Sequence, residues 1–136
     1  MKFFFILLTF ILSNIANAEN LKLKELVDLK DPWGSTFIDE NNILVTEKSG
    51  VIKLININDK NIKIINHNLN FLEYGQGGLL DILFDNNFVY LSYSEKRGNW
   101  KTSTSIAKAK FNNKNLKFKN IFQANPAIDS GYHFGS

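Results

Sequence analysis

The sequence repeats one pattern of four short runs rich in apolar residues. Turn-forming residues such as Asn, Asp and Gly separate the runs, which is typical of short β-strands. The runs are residues 35–39, 43–47, 51–57 and 62–65 in the first set, and residues 79–84, 88–94, 103–111 and 116–123 in the second. The second set starts 44 residues after the first. Four strands at a spacing of about 40–45 residues are typical of one blade of a β-propeller.

We therefore predict an all-β fold in which the chain supplies about two propeller blades and the start of a third. A small sandwich of eight β-strands is the alternative that the pattern leaves open. The chain ends on Gly135 and Ser136 without a closing strand, which favours the propeller. A propeller ring needs about 4–8 blades, so we expect residues 19–136 to be the N-terminal part of a longer domain. Residues 22–30 fit either a lead-in strand or a short helix.

The first 18 residues have the three parts of a secretory signal peptide. Lys2 gives a positive start, an apolar run covers residues 3–12, and a small-x-small cleavage site occupies residues 16–18. The apolar run is shorter than the roughly 18 residues that span a bilayer. We predict that residues 1–18 are removed, that no membrane span is left, and that the protein is periplasmic or secreted. Cysteine is absent, so we expect no disulfide bonds despite export.

Two glycine-rich loops carry the candidate functional side chains. Gln76 lies among the glycines of residues 75–78, and His133 lies in the glycine-flanked segment 129–136. Each loop follows β-type sequence, so we expect both at one mouth of the β architecture. No helical pattern follows residues 75–78, which argues against a dinucleotide-binding loop. With 16 basic and 13 acidic residues, the charge balance gives no reason to expect a nucleic-acid partner.

Five segments occur in an order that is characteristic of one enzyme family. They are residues 32–34 (PWG), 44–50 (LVTEKSG), 75–80 (GQGGLL), 90–93 (YLSY) and 131–136 (GYHFGS). With these segments the chain resembles, over residues 30–136, the N-terminal third of the soluble quinoprotein sugar dehydrogenases, the glucose/sorbosone dehydrogenase family. It departs from the family pattern at Asp81, where glycine is common, and at residues 85–87, which replace a longer turn.

The resemblance implies both a fold and an activity. The fold is a six-bladed β-propeller that binds pyrroloquinoline quinone (PQQ) at the mouth of its central channel, with calcium holding the cofactor. The activity is oxidation of a small-molecule aldose at C1 to the lactone by hydride transfer to the quinone, with an unidentified electron acceptor. His133 matches the family's catalytic general base. Gln76 matches a cofactor-binding glutamine that contacts the quinone end. The family's calcium ligands belong to loops beyond Ser136, so we assign no metal ligand here.

The side chains suit these implied roles. An imidazole such as that of His133 exchanges a proton near neutral pH. The Gln76 amide nitrogen would donate to a quinone oxygen, while its carbonyl would accept from a sugar hydroxyl. The neighbouring glycines would let a flat cofactor lie against the backbone. On the residues alone, the alternatives remain that His133 is an ordinary turn histidine and Gln76 a solvated loop residue.

Three further residues have candidate roles, and two further functions remain as alternatives. We interpret His67, which lies among asparagines, as structural. Trp100 and Trp33 are candidates for stacking on sugars, although Trp33 beside Pro32 is better explained as a packing anchor. The functional alternatives are a non-catalytic carbohydrate- or protein-binding propeller and a calcium-dependent, lactonase-like hydrolase. We expect residues 1–136 alone to be inactive, because most of the implied cofactor pocket lies beyond Ser136.

Overall fold

The computed structural model describes residues 22–135, and all regular structure in this part of the chain is β-strand. The strands are β1 (Pro32–Phe37), β2 (Asn42–Glu47), β3 (Val51–Asn56), β4 (Ile62–His67), β5 (Leu79–Asp85), β6 (Phe88–Lys96), β7 (Thr102–Lys110), β8 (Asn115–Leu116) and β9 (Lys119–Gln123). The predicted signal peptide lies outside the described residues. Among the described residues, no helix has the length and apolar character to cross a bilayer.

The nine strands form two sheets that follow each other along the chain. The first has the order β1-β2-β3-β4-β8 and the second the order β5-β6-β7-β9. All neighbours pair antiparallel except β8, which pairs parallel to β4. Each sheet is therefore built around a four-stranded meander, as the repeat predicts, and consecutive meanders are the arrangement of propeller blades.

Asparagine-rich turns join several of the strands. Asn86 and Asn87 have φ angles of 47° and 66° between β5 and β6, where Asp85 pairs with Phe88. Two successive residues with positive φ are required by the tightest hairpin turn, and asparagine tolerates this conformation. The short turn at residues 85–87 thus has its own physical basis, although it departs from the family pattern.

The core lies between the two sheets. It is built from fully buried aliphatic side chains of both, including Leu44, Ile52, Leu79 and Leu91. The buried Thr46 hydroxyl links the sheets, because its Oγ1 lies 2.6 Å from the carbonyl oxygen of Leu80 and donates to it. At the same junction the backbones of the two sheets come close together. A β-carbon placed on Gly34 would lie 2.8 Å from the Asp81 Cα, so Asp81 is accommodated by a glycine on the facing strand.

Two predictions about local structure are wrong. Residues 22–29 form neither a strand nor a helix. The run 116–123 is divided, since β8 joins the first sheet and β9 the second. The Asn68 carboxamide holds the backbone between these two strands: its Oδ1 accepts from the Phe118 N–H at 2.8 Å, and its Nδ2 donates to the Phe118 carbonyl at 3.1 Å.

Alternating strand directions place four connections at one end of the sheets. They are the β2–β3 turn, the β4–β5 connection, the β6–β7 turn and the segment after β9. We call this the site end, because it carries both Gln76 and His133. The other connections lie at the opposite end, which includes an open hollow of about 610 Å³ lined by asparagines and lysines.

Candidate functional site

The loop that carries Gln76 is anchored to the first sheet. It turns sharply at Gly75, whose φ is 59°, and the Gly77 N–H donates to the Tyr74 carbonyl at 2.9 Å. Lys48, from the β2–β3 turn, holds the loop twice: its Nζ donates to the Gly75 carbonyl at 2.7 Å, and its own carbonyl accepts from the Leu79 N–H at 3.2 Å. The β2–β3 turn of the first sheet thus helps to set the position of Gln76.

The segment that carries His133 is anchored to the second sheet. Ile128 and Thr102 exchange two backbone hydrogen bonds of 2.9 and 3.0 Å. The Thr102 hydroxyl also donates to the Ser130 carbonyl at 3.2 Å. His133 follows with a φ of 66°, an uncommon conformation for a residue with a side chain. Such outliers cluster at functional sites, where surrounding contacts hold them.

The two loops meet directly. The Gln76 backbone N–H donates to the Gly131 carbonyl at 2.7 Å, and the His133 backbone N–H donates to the Gln76 Oε1 at 3.2 Å. The expectation that both loops lie at one mouth is therefore confirmed. The bond to His133 uses one of the two lone pairs of the carboxamide oxygen, a role that the sequence did not predict.

The glycines beside Gln76 leave room for backbone and side-chain atoms from other segments of the chain. A β-carbon on Gly75 would collide with the Gly131 carbonyl, and one on Gly78 would collide with the Lys48 carbonyl. A β-carbon on Gly77 would lie 2.7 Å from the Ser94 Oγ. This differs from the expectation that the glycines make space for a flat cofactor. They instead permit the close contact of three chain segments at the site end.

The His133 side chain is exposed at this end. Within residues 22–135, no hydrogen bond involves its imidazole, so the geometry leaves the ring open to a bound molecule. His67 is different. Its Nδ1 accepts from the Leu69 N–H at 3.2 Å, which leaves Nε2 to carry the proton and donate to the Gly50 carbonyl at 2.9 Å. The structural role predicted for His67 is confirmed.

The two tryptophans occupy different surroundings. Trp33 lines a hollow of about 330 Å³ on the first sheet, together with apolar side chains such as Leu26 and Val27. Trp100 lies on the β6–β7 turn at the site end, where its ring and that of Tyr74 form an edge-to-face pair with 6.2 Å between centroids. Trp33 is thus partly exposed in apolar surroundings, and its packing role stays a prediction, whereas Trp100 stands beside the candidate site.

A polar cluster around Glu95 holds the second sheet together and was not predicted. The carboxylate accepts hydrogen bonds from Ser105 at 2.7 Å, from Gln123 at 2.7 Å and from Asn120 at 2.9 Å, and it pairs with Arg97 at 3.3 Å. Burial acts to raise the pKa of Glu95, but these donors outweigh it and lower the pKa below its usual value. Its partners Asn120 and Gln123 lie 25 and 28 positions away in the sequence, so no local signal revealed the whole cluster.

A buried carboxylate, Glu47, anchors the segment before β1. Glu47 accepts from the Lys53 Nζ at 2.6 Å and from the Lys30 backbone N–H at 2.8 Å. Burial acts to raise the pKa of Glu47. The two hydrogen bonds, together with the positive charges of the two lysines, outweigh burial and lower the pKa.

Residues 22–135 contain no group of three or more acidic, histidine or cysteine side chains placed to hold a metal ion.

A sequence model of the Glucose / Sorbosone dehydrogenase family matches residues 29–136. The chain belongs to this family. A relative within the curated proteins, the uncharacterized protein slr1608 of Synechocystis sp., is 30% identical over 138 residues, which are 89% of this chain and 33% of that protein.

Solved structures of sugar dehydrogenases share the fold. A glucose dehydrogenase superimposes with a TM-score of 0.76 at 32% identity, over 82% of this chain and 36% of its own. The soluble aldose sugar dehydrogenase of Escherichia coli, in its apo-form, gives 0.72 at 26% identity, over 79% and 33%. The PQQ-bound aldose sugar dehydrogenase of Streptomyces coelicolor gives 0.66 at 17% identity, over 76% and 34%. The chain therefore spans about a third of the length of these relatives.

These comparisons confirm two predictions, the family and the β-propeller fold class. The described residues form part of the propeller, with sheets that are not closed on themselves. The roles of Gln76 and His133 stay predictions, because the comparisons name no residues.

Proposed function

We propose that the protein containing this chain oxidises aldose sugars at C1 to lactones, with PQQ as its redox cofactor. The observation that carries the proposal is the direct contact between the Gln76 and His133 loops at the site end. These loops come from successive blades, so they form one wall of a shared mouth. Family membership supports sugar oxidation, and the PQQ-bound relative supports the choice of cofactor.

The donors at this mouth fit the quinone end of PQQ. A quinone presents carbonyl oxygens, which need hydrogen-bond donors rather than acceptors. The Gln76 carboxamide oxygen is used by the His133 backbone, so the amide nitrogen is the end with donors to offer. The Lys48 ammonium adds a positive charge beside Gln76, on the Gly75 carbonyl. When bound, PQQ would supply the two-electron acceptor for the oxidation.

His133 is the base in this proposal. The exposed imidazole would accept the proton of the anomeric hydroxyl as C1 is oxidised, which is general-base catalysis. The Gln76 side chain would fix the backbone from which the ring projects, since it binds the His133 N–H. A catalytic group held in this way loses less entropy on reaching its reactive geometry. Gln76 would thus orient both the cofactor and the base.

Two parts of the proposal concern residues outside the described range. Calcium would help to hold the cofactor, with ligands from parts of the protein beyond residues 22–135. The signal peptide would direct the protein to the periplasm or beyond and would be removed after Ala18, so N-terminal sequencing of the extracytoplasmic protein should begin at Glu19. An intact N-terminus at Met1 on a cytoplasmic protein would contradict the export proposal.

The test of function uses the full-length protein reconstituted with PQQ and calcium. Aldose-dependent dye reduction should require PQQ, and His133→Gln should lower turnover by at least about a hundredfold, within the range for loss of a general base. PQQ binding, followed by its absorbance, should change little in this variant. Full turnover by His133→Gln would exclude His133 as the base. Lactone hydrolysis without PQQ would favour the hydrolase, and sugar binding without either activity would favour the binding module.

A further inference from the structure

Both ends of the loop that carries Gln76 are fastened to one residue of β6. The Leu72 N–H donates to the Ser94 carbonyl at 3.0 Å, and the Ser94 N–H donates to the Gly78 carbonyl at 3.0 Å. The Ser94 hydroxyl adds a third bond, because its Oγ lies 2.7 Å from the Leu72 carbonyl oxygen and donates to it. Ser94 therefore closes the base of the loop, and its side chain takes part in the closure.

The Ser94 side chain is fully buried at the base of this loop. Residues 73–76 of the loop are exposed, whereas Gly77 and Gly78 are buried. A hydroxyl has one proton to donate, and the Gly78 carbonyl lies farther from the Ser94 Oγ, at 3.4 Å, than the Leu72 carbonyl does. Gln76 thus lies at the point where the exposed tip of the loop joins the buried base that Ser94 holds.

The same hydroxyl borders the residues that follow Gln76 and His133. Gly77 comes directly after Gln76, and a β-carbon placed on it would lie 2.7 Å from the Ser94 Oγ. That β-carbon would also lie 3.0 Å from the ring of Phe134, which comes directly after His133. Gly77, Ser94 and Phe134 therefore meet at one point, one chain position away from each candidate functional residue.

We propose that Ser94 is a positioning residue for the oxidation and acts through Gln76 and His133. This inference rests on the proposed function, in which Gln76 faces the quinone and His133 accepts the proton. The Ser94 hydroxyl limits where Gly77 and Phe134 can pack, and so it sets the spacing of the two loops. General-base catalysis needs the base within about 3 Å of the group that it deprotonates, so this spacing bears directly on turnover.

The hydrogen bond between the two loops depends on the same spacing. The Gln76 Oε1 accepts from the His133 N–H at 3.2 Å, which is at the long end of the range for such a bond. A small further separation would therefore weaken it strongly. Loss of the Ser94 hydroxyl would open space beside Gly77 and free the Leu72 carbonyl, and both changes would let the loop move away from His133.

The experiment compares two buried serines in the full-length, PQQ-loaded protein. Ser94→Ala should lower kcat with aldoses by about tenfold and leave KM within about twofold, since a misplacement of about 1 Å can cost on the order of a hundredfold in rate. Ser105→Ala is the matched control, because Ser105 is also fully buried in the second sheet and its hydroxyl also donates a 2.7 Å hydrogen bond, to Glu95. It should lower the melting temperature at least as much as Ser94→Ala does, with kcat within about twofold of wild type. Equal losses of kcat in the two variants, or no loss in Ser94→Ala, would overturn the proposal.

A second variant disturbs the same point from the other side. Gly77→Ala keeps the Ser94 hydroxyl and places a methyl group in the space between that hydroxyl and the Phe134 ring. It should lower kcat by about tenfold or more for the same geometric reason. The double variant should lose less than the product of the two single losses, because changes at one contact are coupled. A loss equal to the full product would show that the two residues act independently, against the proposal.

Hydrogen–deuterium exchange separates this inference from the proposed function. In the cofactor-free protein, the peptides that contain Gln76 and His133 should exchange faster in Ser94→Ala than in wild type, and at wild-type rates in Ser105→Ala. If wild type oxidises no aldose but these differences appear, the redox proposal fails and the positioning of the two loops by Ser94 stands. If wild type oxidises aldoses and Ser94→Ala exchanges as wild type does, the positioning role is rejected and the redox proposal stands.

Discussion

The carboxamide oxygen of Gln76 accepts a 3.2 Å hydrogen bond from the backbone N–H of His133, although 57 positions separate the two residues. The bond crosses from one blade to the segment that leaves the next, so it couples the geometry of two sheets at the mouth of the propeller. It also decides how the amide is oriented, because an N–H can only meet the oxygen end. Gln76 therefore has a structural task in addition to any contact with a ligand.

This bond gives a prediction for two variants of Gln76. Gln76→Ala removes it, whereas Gln76→Glu keeps an acceptor for the His133 N–H and loses the amide donors. We expect faster hydrogen–deuterium exchange of the His133 peptide in the alanine variant and near wild-type exchange in the glutamate variant, measured by mass spectrometry. Both should lose at least about tenfold in kcat/KM with aldoses, the scale of one lost hydrogen bond to a reacting group. Equal exchange in the two variants would contradict this account.

Lys48 is predicted to act on the Gln76 loop. Lys48→Met removes the 2.7 Å bond from Nζ to the Gly75 carbonyl while keeping much of the side-chain volume. We expect a stability loss of about 0.5–1.5 kcal/mol, as for a typical hydrogen bond, together with faster exchange in the peptide spanning residues 72–79. Lys48→Arg keeps a donor and is the control. Unchanged exchange in the methionine variant would show that the backbone contacts alone hold the loop.

Alanine substitutions at Gly75 and Gly98 would measure separately the cost of a strained backbone and the cost of a steric clash. Gly75 and Gly98 both have positive φ, 59° and 108°, but only Gly75 faces a filled position, since nothing lies within 4 Å of a β-carbon on Gly98. Gly75→Ala should lower the free energy of unfolding by about 2–4 kcal/mol, and Gly98→Ala by about 1–2 kcal/mol from strain alone. Thermal unfolding measures both. The reverse order of stability would contradict the close contact of Gly75 with Gly131.

Glu95 predicts a pH dependence of stability. Its pKa is lowered in the folded protein, so the folded state favours the charged form. This contribution is fully present above the unfolded pKa of about 4.5 and is lost as the pH falls through the folded pKa. Glu95→Gln should therefore be clearly less stable than wild type at pH 7, by about 1–3 kcal/mol, and the difference should shrink below about pH 4.5.

Denaturant unfolding between pH 7 and pH 3 checks this prediction. Glu73→Gln is the matched control, because Glu73 is an exposed carboxylate in the β4–β5 connection and its substitution should leave the profile close to wild type. A stability difference between Glu95→Gln and wild type that stays constant down to pH 3 would exclude the carboxylate as its source.

The parts of the fold that could be predicted depend on local pattern. Strand spacing and Asn-rich turns predicted the two meanders, and the position of each glycine-rich loop after β-type sequence predicted that Gln76 and His133 share one end. What could not be predicted depends on contacts between distant residues. The Asn68 carboxamide binds Phe118, 50 positions away, and so divides a run that looks continuous in the sequence. Glu95 accepts hydrogen bonds from Asn120 and Gln123, which lie on another strand.

The site itself was only partly predictable for the same reason. Glycines around Gln76 signalled a sharp bend, but their real constraint is the neighbouring backbone of Gly131 and the Lys48 carbonyl. Neither residue stands near Gln76 in the sequence. The side chain of Lys48 likewise showed no local pattern that would assign it to the loop.

Strand β8 has a consequence for how the molecule is made. It completes the edge of the first sheet beside β4, yet it is synthesised after β5, β6 and β7 of the second sheet. A ribosome must therefore release most of the second blade before the first can be finished. The unit that repeats in the sequence is therefore not the unit that folds during synthesis. We expect these two blades to fold together as one cooperative unit.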